Sequence, residues 1–270
     1  MQTHPSPPPS SARSRFLRAF LSLIAALGLV AGASALPASA ATPSTYIGLG
    51  DSIAAGTGGT DYIDQTCLRT LQAYPTQLGG TNAACFGATA TGTDNSVVSQ
   101  SANLNASTTR VTITVGANDI GAGQVANICM GTDTTACQTA IAGATAALKD
   151  LPTGLTTAIR AVRTKAPRAL ITLTGYPLLF TVQGLPLAQQ PVAAQINGAT
   201  ALLNSTIATT ALRNGTLYAD VSWRFLGHGI GSSDPWIHAP GDSSYAFEAF
   251  HPNSKGYTYG YVPAVRPFVG

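Results

Sequence analysis

The sequence predicts an α/β domain with a central parallel sheet, and three observations support this prediction. Short apolar or β-branched runs recur along the chain, and they alternate with longer Ala- and Leu-rich stretches. Alternation of strand, helix and strand is the pattern of a parallel sheet joined by crossover helices. Two of the runs also end in short polar motifs, at the place where parallel sheets carry their functional groups.

Four segments are predicted to be strands, because each is short, apolar or β-branched, and bounded by turn residues. They are residues 46–49, 110–115, 169–173 and 217–221. Three longer segments have helical composition, residues 137–149, 154–166 and 192–213. We expect Pro152 and Gly154 to separate the first helix from the second, and Pro167 to end the second, because proline interrupts a helix.

The first forty residues have the features of a secretory signal peptide. Arg13, Arg15 and Arg18 precede an apolar run over about residues 20–30, and Ala-Ser-Ala at 38–40 supplies a cleavage pattern of small residues. The alternative is a membrane anchor, but the apolar run is short for a span of about 20 residues. The pattern therefore favours a leader that is removed on export.

Residues 41–270 are predicted to form one secreted domain, because no internal repeat or interior linker is visible. Removing residues 1–40 takes away three arginines and no acid, which leaves 11 basic and 11 acidic residues. This balance provides no basic patch for nucleic acid. No second long apolar run follows, so we expect no stable membrane insertion, and we expect a monomer.

Four cysteines lie in the predicted domain. An even number in an exported chain indicates two disulfides, for which three pairings are possible. The sequential pairing, Cys67 with Cys85 and Cys129 with Cys137, closes two short loops and is favoured. A zinc site is the alternative, but the spacings lack a CxxC pair and no histidine lies close in sequence. We therefore expect no metal.

The first polar motif, Gly50-Asp51-Ser52-Ile53, directly follows the first predicted strand. Its glycine permits a tight turn from strand to helix, which would present the Ser52 hydroxyl at the edge of the sheet. The Ser52 N–H would lie at a helix start, where it can stabilise an oxyanion. By itself this is a common turn composition, and it lacks the second glycine of the G-x-S-x-G elbow.

The second polar motif, Gly116-Ala117-Asn118-Asp119, directly follows the second predicted strand. The Asn118 side chain can donate to a developing negative oxygen. We expect Asp119 to hydrogen-bond within the turn rather than to take part in catalysis. Two such motifs, each placed after a strand, are less expected by chance than either alone.

The third motif, Glu-Ala-Phe-His-Pro at 248–252, lies near the C-terminal end. A serine hydroxyl is a weak nucleophile that needs a base, and histidine is the natural one. His4 lies in the leader, and His228 and His238 lie in a Gly-, Ser- and Pro-rich stretch. His251 has a carboxylate three residues before it and is the predicted base.

Taken in order, and with Gly87 in the stretch Ala-Cys-Phe-Gly-Ala-Thr at 84–89, these motifs resemble the SGNH hydrolase family, also called GDSL esterases and lipases. The resemblance is greatest to its secreted actinobacterial branch. It implies a flavodoxin-like three-layer sandwich with a central parallel sheet. It also implies an extracellular serine esterase or lipase that needs no cofactor and hydrolyses carboxylic esters of lipids or small molecules.

The resemblance implies a role for each site residue. Ser52 would attack the ester carbonyl, and His251 would take its proton and later return one to the leaving alkoxide. The N–H groups of Ser52 and Gly87 and the side chain of Asn118 would form the oxyanion hole. Glu248 would orient His251, but relatives usually carry aspartate there and some use a backbone carbonyl, so a triad and a dyad both stay open.

The same machinery is compatible with other substrates and functions. A phospholipase A or lysophospholipase is one alternative, and a carbohydrate acetyl esterase is another. A non-enzymatic binding module on the same fold is disfavoured, because Ser52, Gly87, Asn118 and His251 are all present.

Overall fold

The computed structural model describes residues 45–270, so the predicted leader over residues 1–40 lies outside the described residues. The strands are β1 Tyr46–Gly50, β2 Tyr62–Asp64, β3 Arg69–Thr70, β4 Thr81–Asn82, β5 Arg110–Thr114, β6 Leu170–Thr174 and β7 Leu217–Ala219. The α-helices are α1 Ser52–Ala55, α2 Tyr74–Gln77, α3 Val97–Gln100, α4 Ala122–Cys129, α5 Thr134–Ala147, α6 Leu151–Lys165, α7 Gln190–Arg213 and α8 Val262–Val269. Short 3₁₀ helices span Ser101–Asn103, Val182–Gly184, Ser222–Phe225 and Ala246–Glu248, and a π-helix spans Gly256–Tyr261.

Five strands form a parallel sheet in the order β4-β1-β5-β6-β7, and β2 pairs with β3 in a separate antiparallel hairpin. Counted along the chain, the sheet has the order 2-1-3-4-5 of flavodoxin-like folds. The direction of strand addition reverses between β1 and β5, where Gly50 pairs with Thr114 at the carboxyl ends of the strands. Such folds bind ligands at this switch point.

Helices complete a three-layer α/β sandwich around the sheet. Helix α2 packs against α8, whereas α3, α6 and α7 form a second group of contacting helices. All of β1 is buried, and β5 and β6 are buried beyond their first residues. Strands covered on both faces have nearly continuous apolar sequences, which explains why these runs could be recognised.

The four predicted strands are confirmed, but the helix boundary near Pro152 is corrected. Helix α6 begins at Leu151, so Pro152 lies inside its first turn instead of separating two helices. Proline is tolerated there, because the first N–H groups of a helix have no acceptor within it. The break between α5 and α6 falls instead between Ala147 and Leu151.

Two disulfides, Cys67–Cys85 and Cys129–Cys137, hold loops at the carboxyl edge of the sheet. The first joins the turn of the β2–β3 hairpin to the loop after β4, and the second joins the end of α4 to α5. None of the helices in the described part of the chain combines the length and apolar character of a membrane span.

Candidate active site

Ser52 opens α1 at the carboxyl end of β1. Gly50 makes this turn possible, because its φ is +136° and an added Cβ would lie 2.1 Å from the Thr114 carbonyl oxygen. Asp51 caps the short helix, and its Oδ1 accepts the Ile53 N–H at 3.0 Å. As the first residue of the helix, Ser52 has an N–H without an acceptor in the helix. This N–H is free to face a bound ligand.

His251 lies beside Ser52. Its Nε2 is 2.7 Å from Ser52 Oγ, and its Nδ1 is 3.1 Å from the carbonyl oxygen of Ala249. When Nδ1–H donates to this carbonyl, Nε2 carries the lone pair that can accept the serine proton. Burial lowers the pKa of His251 to about 4, which keeps the imidazole neutral at neutral pH. The pair therefore has the geometry and the protonation state of a nucleophile with its base.

The Glu248 carboxylate hydrogen-bonds to Tyr62 and not to His251, so its predicted role as the third catalytic residue stays a prediction. Glu248 Oε1 accepts a hydrogen bond from the Tyr62 hydroxyl at 2.6 Å, and that hydroxyl accepts the Gly58 N–H at 3.1 Å. Glu248 ends a 3₁₀ helix and is buried. Its side chain therefore binds to the β2–β3 hairpin through Tyr62. The Ala249 carbonyl takes the position beside Nδ1, which is the dyad arrangement.

Asn118 and Gly87 lie on two loops that hydrogen bonds hold together. Asn118 Nδ2 donates to the Ala88 carbonyl at 2.9 Å, and the Asp119 carboxylate accepts the Ala90 N–H at 3.0 Å. Asp119 thus bonds across to a neighbouring loop, and burial raises its pKa. Gly87 has a φ of +76°, and its N–H donates to no other residue within 45–270. The Gly87 N–H is therefore available to a ligand.

Tyr176 is a site residue that the sequence reasoning missed. Its hydroxyl donates to Asp51 Oδ2 at 2.5 Å and accepts the Ala117 N–H at 3.1 Å. Both Asp51 and Tyr176 are buried, and burial raises the pKa of Asp51 to about 7. The phenol thereby connects the turn of Ser52 to the loop of Asn118. The available signal was its position three residues after the third predicted strand.

One cavity of about 240 Å³ brings Ser52, Asn118 and His251 together. Most of its walls are apolar, with side chains that include Phe86, Ala126, Leu179, Leu203, Phe247 and Phe250. Gly87 directly follows Phe86, which lines the cavity, whereas Glu248 does not line it. The arrangement can bind an apolar group and present its reacting atom to a hydroxyl nucleophile.

The two other described histidines are engaged outside this cavity. His238 Nε2 lies 2.8 Å from the Gly58 carbonyl oxygen, and His228 stacks on Trp236 with ring centroids 3.7 Å apart. Within residues 45–270, no cluster of three or more His, Cys, Asp or Glu side chains has a metal-binding arrangement.

Comparison with known proteins adds a consistent set of relatives. The GDSL-like lipase/acylhydrolase family matches residues 49–259. A lipase from Streptomyces rimosus is 31% identical over 262 residues, which cover 91% of this chain and 94% of the relative. Lipase 1 from Streptomyces coelicolor is 30% identical over 270 residues, covering 94% of this chain and 98% of the relative.

Two solved structures have the same fold. The crystal structure of the extracellular lipase from Streptomyces rimosus matches with a TM-score of 0.77 and 29% identity, covering 83% of this chain and 99% of that chain. The crystal structure of phospholipase A1 from Streptomyces albidoflavus NA297 matches with a TM-score of 0.77 and 32% identity, again covering 83% and 99%.

Proposed function

We propose that this chain, which belongs to the GDSL-like lipase/acylhydrolase family, or SGNH hydrolases, uses Ser52 and His251 to cleave acyl esters outside the cell. The chain is a carboxylic ester hydrolase of the actinobacterial branch. The observation that carries the assignment of these two residues is the 2.7 Å contact between His251 Nε2 and Ser52 Oγ in an apolar cavity. The remaining steps follow from the groups around this contact.

Acylation begins when the Ser52 oxygen attacks the ester carbonyl carbon and His251 Nε2 accepts the serine proton. The Ala249 carbonyl accepts the Nδ1–H and stabilises the imidazolium that forms. His251 then gives the proton to the leaving alkoxide, and the acyl group stays on Ser52. Water replaces the alcohol in the second half of the reaction, with His251 again acting as the base, and the carboxylic acid is released.

The oxyanion that forms at the carbonyl oxygen needs donors that are already in place. The N–H groups of Ser52 and Gly87 and the side-chain amide of Asn118 are the candidates, and hydrogen bonds join the three loops that carry them. A single donor of this kind typically stabilises the transition state by about 3–4 kcal/mol. The hole therefore accounts for a large part of the proposed catalysis.

The apolar walls of the cavity favour the acyl chain of a lipid as the group that binds there. The names of the relatives support this substrate class, since they include lipases and one phospholipase A1. Phospholipid acyl hydrolysis is the second candidate, favoured by the 32% identity to that phospholipase. The apolar walls do not favour a carbohydrate ester.

Export is part of the proposal. The expected leader over residues 1–40, the two disulfides and the extracellular relative all support secretion of residues 41–270 as one domain. We propose a monomer without a nucleic-acid partner or an anchor in the membrane. No metal takes part in the proposed steps, so chelator treatment should leave the rate of the purified protein unchanged.

The test compares the wild-type protein with Ser52→Ala on p-nitrophenyl butyrate and on phosphatidylcholine vesicles. Loss of the nucleophile should lower kcat by about 10⁴-fold or more, while circular dichroism shows the same fold. Phospholipid turnover by the wild type would favour the second candidate. Full ester hydrolysis by Ser52→Ala would overturn the proposed function.

A further inference from the structure

Phe250 is a bulky residue in a backbone conformation that glycine adopts most easily. Its φ is +66°, and only two other non-glycine residues in the described part of the chain have a positive φ. The left-handed region is unfavourable for residues with a Cβ, and more so for bulky ones. Such outliers persist where their surroundings hold them, and they cluster at functional sites.

The backbone turn at Phe250 serves the base, but it does not need a phenylalanine. The turn brings the Ala249 carbonyl to 3.1 Å from His251 Nδ1. The Phe250 N–H donates to the His238 carbonyl at 2.9 Å, and the His238 N–H donates to the His251 carbonyl at 2.9 Å. Glycine would make the same turn with less strain. The reason for phenylalanine must therefore lie in its ring.

Phe250 lies where two cavities meet. It lines the catalytic cavity of about 240 Å³ and also a neighbouring cavity of about 200 Å³. The residues that line both are Asn127, Ala246, Ala249 and Phe250. Phe250 has the largest side chain of this set, and the edge-to-face contact with Phe180, at 6.5 Å between centroids, supports the ring.

The neighbouring cavity has mixed walls that include apolar side chains. Its other lining residues are Met130, Ala239, Pro240, Gly241, Ser243 and Tyr245. Met130 and Tyr245 are more than half exposed, at 54% and 55%, so the cavity is not sealed by the core. An acyl chain that passed the position of Phe250 would therefore find further apolar surface.

We propose that Phe250 is a specificity-determining residue whose ring is the partition between these cavities and limits the acyl chain that the enzyme accepts. The inference rests on the proposed function, because an acyl ester attacked by Ser52 is what would place a chain against the ring. It explains why phenylalanine occupies a left-handed position. The turn orients the base, and the ring closes the acyl site.

The experiment measures kcat/KM for p-nitrophenyl esters from acetate to palmitate with the wild type and Phe250→Gly. Glycine keeps the turn and removes the partition. The ratio of the palmitate to the butyrate value should rise by about tenfold or more, since each methylene gained in an apolar site contributes to discrimination. Phe250→Ala should shift the ratio in the same direction. Its Tm should be lower than that of Phe250→Gly, because alanine retains a Cβ in the left-handed region.

A matched variant tests whether the second cavity is responsible. Ala239 lines the second cavity but not the catalytic one, so Ala239→Leu should fill the second cavity and leave the wild-type profile unchanged. In the Phe250→Gly background the same change should remove most of the gain on palmitate. If the glycine variant does not accumulate as folded protein, Phe250→Ala alone and combined with Ala239→Leu gives the same comparison.

Two outcomes distinguish failure of the role proposed for Phe250 from failure of the proposed esterase function. An active Phe250→Gly or Phe250→Ala enzyme with the wild-type chain-length profile would overturn the role of the ring and leave the esterase intact. A wild-type protein that hydrolyses none of the esters would overturn both the proposed function and the inference built on it.

Discussion

Ser52 and His251 touch each other, yet two different kinds of structure hold them. The Ser52 turn follows a fully buried strand, and the Gln100 side chain fixes it by accepting the Gly50 N–H at 2.7 Å and donating to the Gly50 carbonyl at 2.8 Å. His251 lies in irregular chain held by contacts between loops, such as the bridge between Ile237 and Pro252. The position of Ser52 depends on the sheet, and the position of His251 depends on neighbouring loops.

This difference predicts how substitutions should act on each side. On the sheet side, several hydrogen bonds converge on the two loops that carry Ser52 and Asn118, so removing one should disturb the oxyanion hole. On the loop side, a backbone carbonyl supports His251, so changing the nearby carboxylate of Glu248 should matter little. Four predictions, from the largest effect to the smallest, test this contrast.

Asn118→Ala should have the largest effect of the four. The amide donates to the oxyanion only in the transition state, so kcat should fall by about 10²–10³-fold with little change in KM. Steady-state kinetics on p-nitrophenyl butyrate measure the separate effects on kcat and KM, and thermal unfolding checks the fold. An unchanged kcat would remove Asn118 from the proposed oxyanion hole.

Tyr176→Phe tests the link between the two sheet-side loops. The change leaves the partly buried Ala117 N–H without its acceptor and removes the hydroxyl that donates to Asp51 Oδ2, so kcat should fall by about tenfold while KM changes little. Tyr218→Phe, which alters a tyrosine of β7 outside the cavity, is the matched control and should leave kcat as it is. Equal effects of the two variants on kcat would argue that Tyr176 has no positioning role.

Glu248→Gln tests the loop side. Glutamine keeps the shape and an acceptor for the Tyr62 hydroxyl, so kcat should change by less than about tenfold, against about 10⁴-fold when a true triad carboxylate is replaced by its amide. Rates on p-nitrophenyl butyrate decide the matter. A loss near the larger value would restore Glu248 as the third catalytic residue.

The pH dependence should be the smallest effect over the range where most enzymes are assayed. His251 must be neutral to accept a proton, and burial lowers its pKa to about 4. Protonation of His251 should therefore lower the rate only as pH approaches about 4, whereas a change between about 7 and 5.5 would report Asp51, whose pKa burial raises to about 7. A profile of kcat/KM that declines near the ordinary histidine pKa of about 6.5 in both the wild type and Asp51→Asn would contradict this environment for the base.

The contrast also explains what the sequence could and could not predict. Buried parallel strands are apolar runs, and the polar residues directly after them fall at one edge of the sheet, so Ser52 and Asn118 could be placed together. β4 was missed because a two-residue strand, Thr81–Asn82, has no periodicity to recognise. Tyr176 followed a predicted strand, but its partner Asp51 lies 125 residues away in sequence.

On the loop side, the sequence predicted His251 as the base but left its support open between Glu248 and a backbone carbonyl. Glu248 stood at the expected spacing from His251, yet its side chain bonds to Tyr62, which is 186 residues away. The Ala249 carbonyl reaches His251 Nδ1 through a left-handed turn at Phe250. A phenylalanine in the sequence does not predict this backbone conformation. Neither contact follows from local composition, because tertiary packing decides both.

The most direct test of the central claim is covalent labelling with a fluorophosphonate, followed by peptide mapping in a mass spectrometer. A serine activated by His251 should carry one adduct per chain, located on Ser52, and labelling should slow by about 100-fold or more in His251→Ala. An adduct on another residue, or a labelling rate that does not depend on His251, would contradict the assignment of this pair as nucleophile and base.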